Sequence, residues 1–202
     1  VCNLDIRGFR IAVNVQRGPR GPCDRVAVRG VTTVDVGAYS FIGGSADLVL
    51  EQSHLAGVLS LGGAPRQQVR NNVVALAAGC PGEAVYVASP QESLQFEGNT
   101  VRVAALAGAR CEGLQLKGGD GASHAGTQIR RNRFLGVTHG IRVAWCPDCA
   151  IEDNLIVVVP GSSSVGIDAS WTAQGNAGNA LTERVKVRHN TVFFAPGSEG
   201  LG

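Results

Sequence analysis

Methionine is absent from the 202 residues, aromatic side chains make up only 5%, and lysine occurs just twice, at Lys117 and Lys186. A chain so poor in aromatics builds its core from small and branched aliphatics. The 28 glycines beside a 44% hydrophobic content suit a core wound through many tight turns. A net charge of +2, carried mainly by arginine, makes no electrostatic case for a nucleic-acid partner. The densest basic run, Arg17, Arg20, Arg25 and Arg29 interrupted by Asp24, reads as a solvated edge. No apolar run reaches the roughly 18 residues that a membrane span needs. Helical periodicity is nearly absent, which argues against a helical domain.

No signal peptide is visible. The chain opens at Val1 inside a patterned segment and stops at Gly202 just after a repeat landmark. The expectation is one domain over 1–202 that is a fragment truncated at both ends. Its end coils would expose apolar interior and unpaired strand edges, which favours self-association.

Six cysteines, Cys2, Cys23, Cys80, Cys111, Cys146 and Cys149, fit an oxidising compartment without requiring one. Cys146-Pro147-Asp148-Cys149 is a CxxC. Zinc would need a second such pair, and a thioredoxin-like site would need a βαβ setting; neither is present. The motif reads as a local disulfide or as two buried thiols in a turn, and no metal is assigned.

What the sequence has is a repeat. The phrase apolar, two residues, Asn, one residue, apolar runs Val69 to Val74, Phe96 to Val101, Ile129 to Phe134, Ile151 to Ile156 and Val187 to Val192. Earlier copies keep the frame without Asn, around Phe9, Val31 and Ser53. The landmarks 9, 31, 53, 72, 99, 132, 154 and 190 are spaced by 22, 22, 19, 27, 33, 22 and 36 residues, a period of 22 with loop insertions. Between them falls a second phrase: small residue, apolar, any, apolar. It appears as Ala84-Val85-Tyr86-Val87, Gly113-Leu114-Gln115-Leu116, Gly140-Ile141-Arg142-Val143 and Gly166-Ile167-Asp168-Ala169. Both phrases alternate with the period of a strand, and Gly, Pro and Asn separate them. Short strands at a fixed repeat without hairpin signals imply parallel stacking, coil on coil. The fold expected is all-β: a single-stranded right-handed parallel β-helix of about eight coils, rising ~4.8 Å per coil. Asn72, Asn99, Asn132, Asn154 and Asn190 would form its ladder, each tolerating the left-handed bend between strands and bonding to the next through its amide.

Ile129 to Phe134, Gly140 to Val143 and Ile151 to Ile156 resemble the repeats of the pectate lyase-like parallel β-helix proteins. Cys2 to Gly8 and Val26 to Gly30 resemble their early coils. The likeness covers nearly the whole chain. It implies the fold and a secreted or cell-surface location, and it leaves function open among lyases, hydrolases, epimerases and adhesins. Calcium serves some carbohydrate-active relatives; no site for it, or for any other cofactor, is identified here. Polygalacturonases share an Asn-Thr-Asp segment, an Asp-Asp pair, a Gly-His-Gly and an Arg-Ile-Lys. Only Thr138-His139-Gly140-Ile141-Arg142 approaches these, so a lyase or epimerase is favoured over a hydrolase.

In the second phrase the apolar residues should point inward and the intervening ones outward. One outward column then reads Tyr86, Gln115, Arg142, Asp168; its neighbour reads Ala88, Lys117, Ala144, Ser170. Insertions at 118–127 and 171–184 flank this face and would wall a groove holding Asp120, His124 and Trp171. Arg142 could pair a uronate carboxylate. Lys117, His124 or His139 would be the base of an elimination or epimerisation, with Asp168 completing the catalytic set. Tyr86, Gln115, Asp120, Ser170 and Trp171 would contact the substrate, an acidic polysaccharide. The bland alternative is a surface on which Arg142 and Asp168 merely pair across coils, worth about 0–1 kcal/mol. The rival function is a non-enzymatic spacer or adhesin. An enzyme should show ionisable groups converging in a groove, and an adhesin a flat, evenly polar side.

Overall fold

A computed structural model describes residues 5–7, 11–15, 25–34, 38–77, 79–80, 82–88, 92–104, 110–117, 123–161, 164–169, 182–198 and 200–201. These residues contain strands and turns and no helix, so none of the described segments is a helix able to cross a membrane. The strands are two to five residues long and form three sheets of seven, eight and eight strands. Every pairing is parallel, and each strand's neighbours in its sheet lie three strands away along the chain. That is a solenoid-like stack consistent with a parallel β-helix.

One turn of the stack shows how sequence becomes structure. Gln128–Arg130 lies in the seven-stranded first sheet, Arg133–Val137 in the second and His139–Val143 in the third. Ile129, Phe134, Ile141 and Val143 are buried, while Arg131 and Arg133 between them are exposed. The next turn repeats the frame. Ile151 pairs with Ile129, Ile156 with Phe134 and Ile167 with Ile141. Apolar side chains therefore stack on one another across the sheets, and Val85, Leu114 and Ile141 form one buried column that Ile167 continues. Three of the few aromatics fill the interior: Phe41, Phe96 and Phe134 are fully buried, and Phe96 and Phe134 stack at 6.3 Å.

At the corner between the first two sheets the landmark asparagines bond in series. Asn72, Asn99, Asn132 and Asn154 each donate a backbone N–H to the Oδ1 of the next, at 2.9–3.0 Å. Their amides donate to that same oxygen at 2.9–3.1 Å and also to a backbone carbonyl of an adjacent turn. Ser53 enters the series by donating its N–H to Asn72 Oδ1 at 2.9 Å. Buried donors at the corner thus find acceptors that a bare turn would deny them.

The left-handed backbone expected at the asparagines sits one residue earlier, at Gly30, Gln52, Asn71, Gly98, Arg131, Asp153 and His189. The reason is directional. The landmark turns its amide inward to its neighbours, so the preceding residue makes the bend and its side chain faces water. A second left-handed corner precedes the first-sheet strands, at Arg25, Asp47, Arg66, Ser93, Gly126, Asp148 and Arg184. There Arg66 holds Asp47, and Arg184 holds Asp148, through paired bonds of 2.6–2.9 Å.

Cys80 is bonded to Cys111 and Cys146 to Cys149. The CxxC therefore takes the disulfide form, and both its cysteines are fully buried. Cys2 and Cys23 lie outside the described residues.

Candidate functional site

The third sheet carries the outward column expected from the sequence. Tyr86 pairs with Gln115, Gln115 with Arg142 and Arg142 with Asp168. Its strands hold a feature that simple alternation hides. A Cβ on Gly113 would lie 2.7 Å from the Gly140 carbonyl oxygen and 2.7 Å from Phe134 Cδ1, so that position faces inward, and so does Leu114 beside it. Two consecutive inward positions set the preceding residue outward. Glu83, Glu112 and His139 therefore stand in register beside the first column.

The side chains meet on Glu112. Its Oε1 accepts from Arg110 Nε at 2.9 Å and from Arg142 Nη1 at 3.0 Å, and Arg110 Nη2 touches the same oxygen. Oε2 is buried and accepts no hydrogen bond among the described residues. Arg142 Nε lies 3.3 Å from Asp168 Oδ2, so this guanidinium bridges two carboxylates. Burial pushes the Glu112 carboxyl above its ordinary value; Arg110 opposes the shift, while Glu83 and Asp168 add to it. The guanidiniums would be expected to win on contact alone, but they crowd one oxygen and leave the other dry, so the burial penalty prevails. His139 is 7% exposed, and its Nδ1 sits 3.3 Å from Thr138 Oγ1. Burial holds it below the usual histidine range, aided by Arg110 and resisted by Asp168. It is neutral at pH 7.

The remaining sequence-derived candidates scatter. Lys117 is exposed just beyond the inward Leu116 and forms no ion pair among the described residues. His124 is fully buried, its backbone N–H donates to Trp145 O at 2.8 Å, and burial pushes its imidazole down to about 4. It faces no solvent here. Its carbonyl oxygen lies 3.4 and 3.5 Å from the Cys146 and Cys149 sulfurs. Tyr86 is half-buried and Gln115 is buried. Asp120, Ser170 and Trp171 lie outside the described residues, as do most of the two insertions expected to wall a groove. Among the described residues no three His, Cys, Asp or Glu side chains are grouped to hold a metal ion.

No protein-family model, no curated protein and no solved structure matches this chain.

The site must therefore be read from its own chemistry. Sequence reasoning brought Arg142, Asp168 and His139 to this face and missed Glu112, Arg110 and Glu83. The signal was available. A glutamate or histidine directly before an inward Gly-apolar pair recurs as Glu112-Gly113-Leu114 and His139-Gly140-Ile141. Together these groups supply a carboxyl that takes up a proton readily, a neutral imidazole and two guanidiniums, which is the equipment of proton transfer beside a bound anion.

Proposed function

We propose that the chain is a right-handed parallel β-helix of about eight coils, of the pectate lyase-like kind, and that it binds or modifies an acidic polysaccharide through its third sheet. The right-handed sense follows from the strong preference of parallel strand connections for that hand. The corner asparagines are its ladder. The two disulfides support a secreted or cell-surface location, because such bonds persist in oxidising compartments.

The observation that carries the functional reading is the convergence of Glu112, His139, Arg142 and Asp168 on neighbouring strands of one sheet. A lyase or epimerase needs a cation for the uronate carboxylate and a base for the proton beside it. Arg142 and Arg110 are the cations, and neutral His139 is the base. The decisive experiment titrates oligogalacturonate and oligoalginate against the wild type and Arg142→Ala, with neutral oligosaccharides of equal length as controls. The reading expects binding that weakens with salt, is lost or reduced in Arg142→Ala, and is weaker for neutral sugars. Equal affinity of both proteins, or no binding to wild type, would leave the spacer or adhesin reading ahead.

That second reading has its own observation. Along the first sheet, Glu51 bridges Arg29 and Arg70, and Glu152 bridges Arg130 and Arg188. This regular, internally ion-paired side suits a solenoid whose task is to hold distance.

A further inference from the structure

The third-sheet cluster is closed on itself in an unusual way. Two guanidiniums, on Arg110 and Arg142, converge on a single oxygen of one carboxylate, and the other oxygen of that carboxylate is buried without a hydrogen-bond partner among the described residues. Glu112 is 1% exposed, whereas the Arg110 side chain is half exposed and that of Arg142 is 16% exposed. The cations thus reach the surface while the anion between them does not.

We propose that Arg110 and Arg142 form a carboxylate-binding site that Glu112 occupies from within, so that a ligand carboxylate is admitted when Glu112 is protonated and refused when it is ionised. The polysaccharide reading enters only in naming the natural ligand, a uronate.

Charge supports the exchange. The groups facing Glu112 are Arg110 on its own segment, Glu83 on the preceding strand, His139 and Arg142 on the following one, and Asp168 one strand further. Two cations, Arg110 and Arg142, meet three carboxylates while Glu112 is ionised and His139 is neutral. The patch then carries a net negative charge and repels an anion. One proton on Glu112 cancels that charge and removes the competing acceptor in the same step. Burial makes Glu112 take that proton before the exposed carboxylates do. Uronate groups, being ordinary carboxylic acids, stay largely ionised in that window. Asp168 Oδ2 lies 3.3 Å from Arg142 Nε, so a charge partner stays beside the guanidinium after Glu112 lets go. His139 protonates below the usual histidine range and would push in the same direction, so it needs its own control.

The test measures trigalacturonate affinity by calorimetry at about pH 7 and about pH 5, at fixed ionic strength, for the wild type, Glu112→Gln and His139→Gln. Wild-type affinity should rise about tenfold on acidification, equivalent to roughly 1.4 kcal/mol. Glu112→Gln should bind at neutral pH as the wild type does in acid, with its pH dependence gone; His139→Gln should keep that dependence. A Glu112→Gln protein with wild-type melting that still shows the wild-type pH dependence, or binds no tighter at neutral pH, overturns the proposal. Acetate, followed through the Nε–H NMR signals of Arg110 and Arg142, separates the site from its ligand. If trigalacturonate never binds but acetate shifts both signals in Glu112→Gln at neutral pH and in the wild type only in acid, the polysaccharide reading fails and the carboxylate site stands. If acetate moves neither signal in any of these proteins, the carboxylate site falls. Should Glu112→Gln fail to fold, the wild-type acetate series decides alone, and flat affinity across the titration of Glu112 refutes the proposal.

Discussion

Replacing Asn132 by alanine should be among the most damaging single changes in the molecule, and the loss can be assembled bond by bond. Asn132 Oδ1 accepts the Asn99 N–H at 2.9 Å and the Asn99 amide at 3.1 Å. Its own amide donates to Phe96 O at 2.9 Å and to Asn154 Oδ1 at 3.0 Å. After truncation the Asn99 amide keeps Val69 O, and Asn154 Oδ1 keeps the backbone N–H of residue 132. The Asn99 N–H, fully buried, keeps nothing. One stranded donor at about 1–3 kcal/mol, with three further bonds lost at about 0.5–1.5 kcal/mol each, sums to roughly 3–5 kcal/mol once partial relaxation is allowed. Asn190 makes similar bonds, donating to Ile151 O and accepting from Asn154, but it is only half-buried. Water can reach the half-buried Asn190 side and replace part of what is lost, although the Asn154 N–H loses its acceptor too, so Asn190→Ala should lose less, about 1–2 kcal/mol. Urea unfolding followed by far-UV circular dichroism, compared at a common slope, reads both values. Equal losses at the two positions, or a loss below about 1 kcal/mol at Asn132, would show that these amides mark the corner without holding it.

Three further outcomes follow from the same contacts. Ile141→Ala, in the buried third-sheet column, should lose roughly 2–5 kcal/mol in the same assay, and a change below about half a kcal/mol would mean the strand faces the other way. Stability should also fall in acid through His124. Its folded value is lowered to about 4, so its contribution is complete above the ordinary histidine range and disappears as pH drops from about 6.5 toward 4, on the order of 3 kcal/mol in all. Glu112, shifted upward, works the other way and gains stability over the acid side of that window, so thermal melts of His124→Leu against wild type isolate the histidine, and identical pH profiles would refute its role. Finally, Cys80 and Cys111 are 31 residues apart whereas Cys146 and Cys149 are 3 apart. Chain-entropy arguments give about 4 kcal/mol for the longer loop and about 2 for the shorter, so a Cys80→Ser/Cys111→Ser double variant should melt lower than its Cys146→Ser/Cys149→Ser counterpart; the reverse order would refute the entropic account.

The repeat made the strands legible because inward residues at alternate positions leave a pattern that survives loop insertion. Val69, Phe96, Ile129, Ile151 and Val187 were aligned from sequence, and they pair in that order in the first sheet. Periodicity failed where backbone geometry departs from strict alternation. Gly113 and Leu114 both face inward, and a rule of alternate positions cannot place Glu112 on the outer face. Charge pairing was legible only in part. The pairing of Arg142 with Asp168, 26 positions after it, could be read from the outward column, whereas its sharing with Glu112, 30 positions before it, could not.

The same asparagine contacts close loops of very different length. Asn132 reaches Asn154 across 22 residues and Asn99 reaches Asn132 across 33, with bonds of the same length. Closure entropy grows only with the logarithm of the chain between the joined ends, so the longer excursion is disfavoured by merely about 0.4 kcal/mol. A turn of this stack can therefore acquire ten or so residues at its periphery with little thermodynamic consequence, provided the inward positions on either side keep their phase. Evolution of such a chain is free in one dimension and frozen in the other: new surface arises by lengthening the excursions, while the cross-section is handed unchanged from one turn to the next.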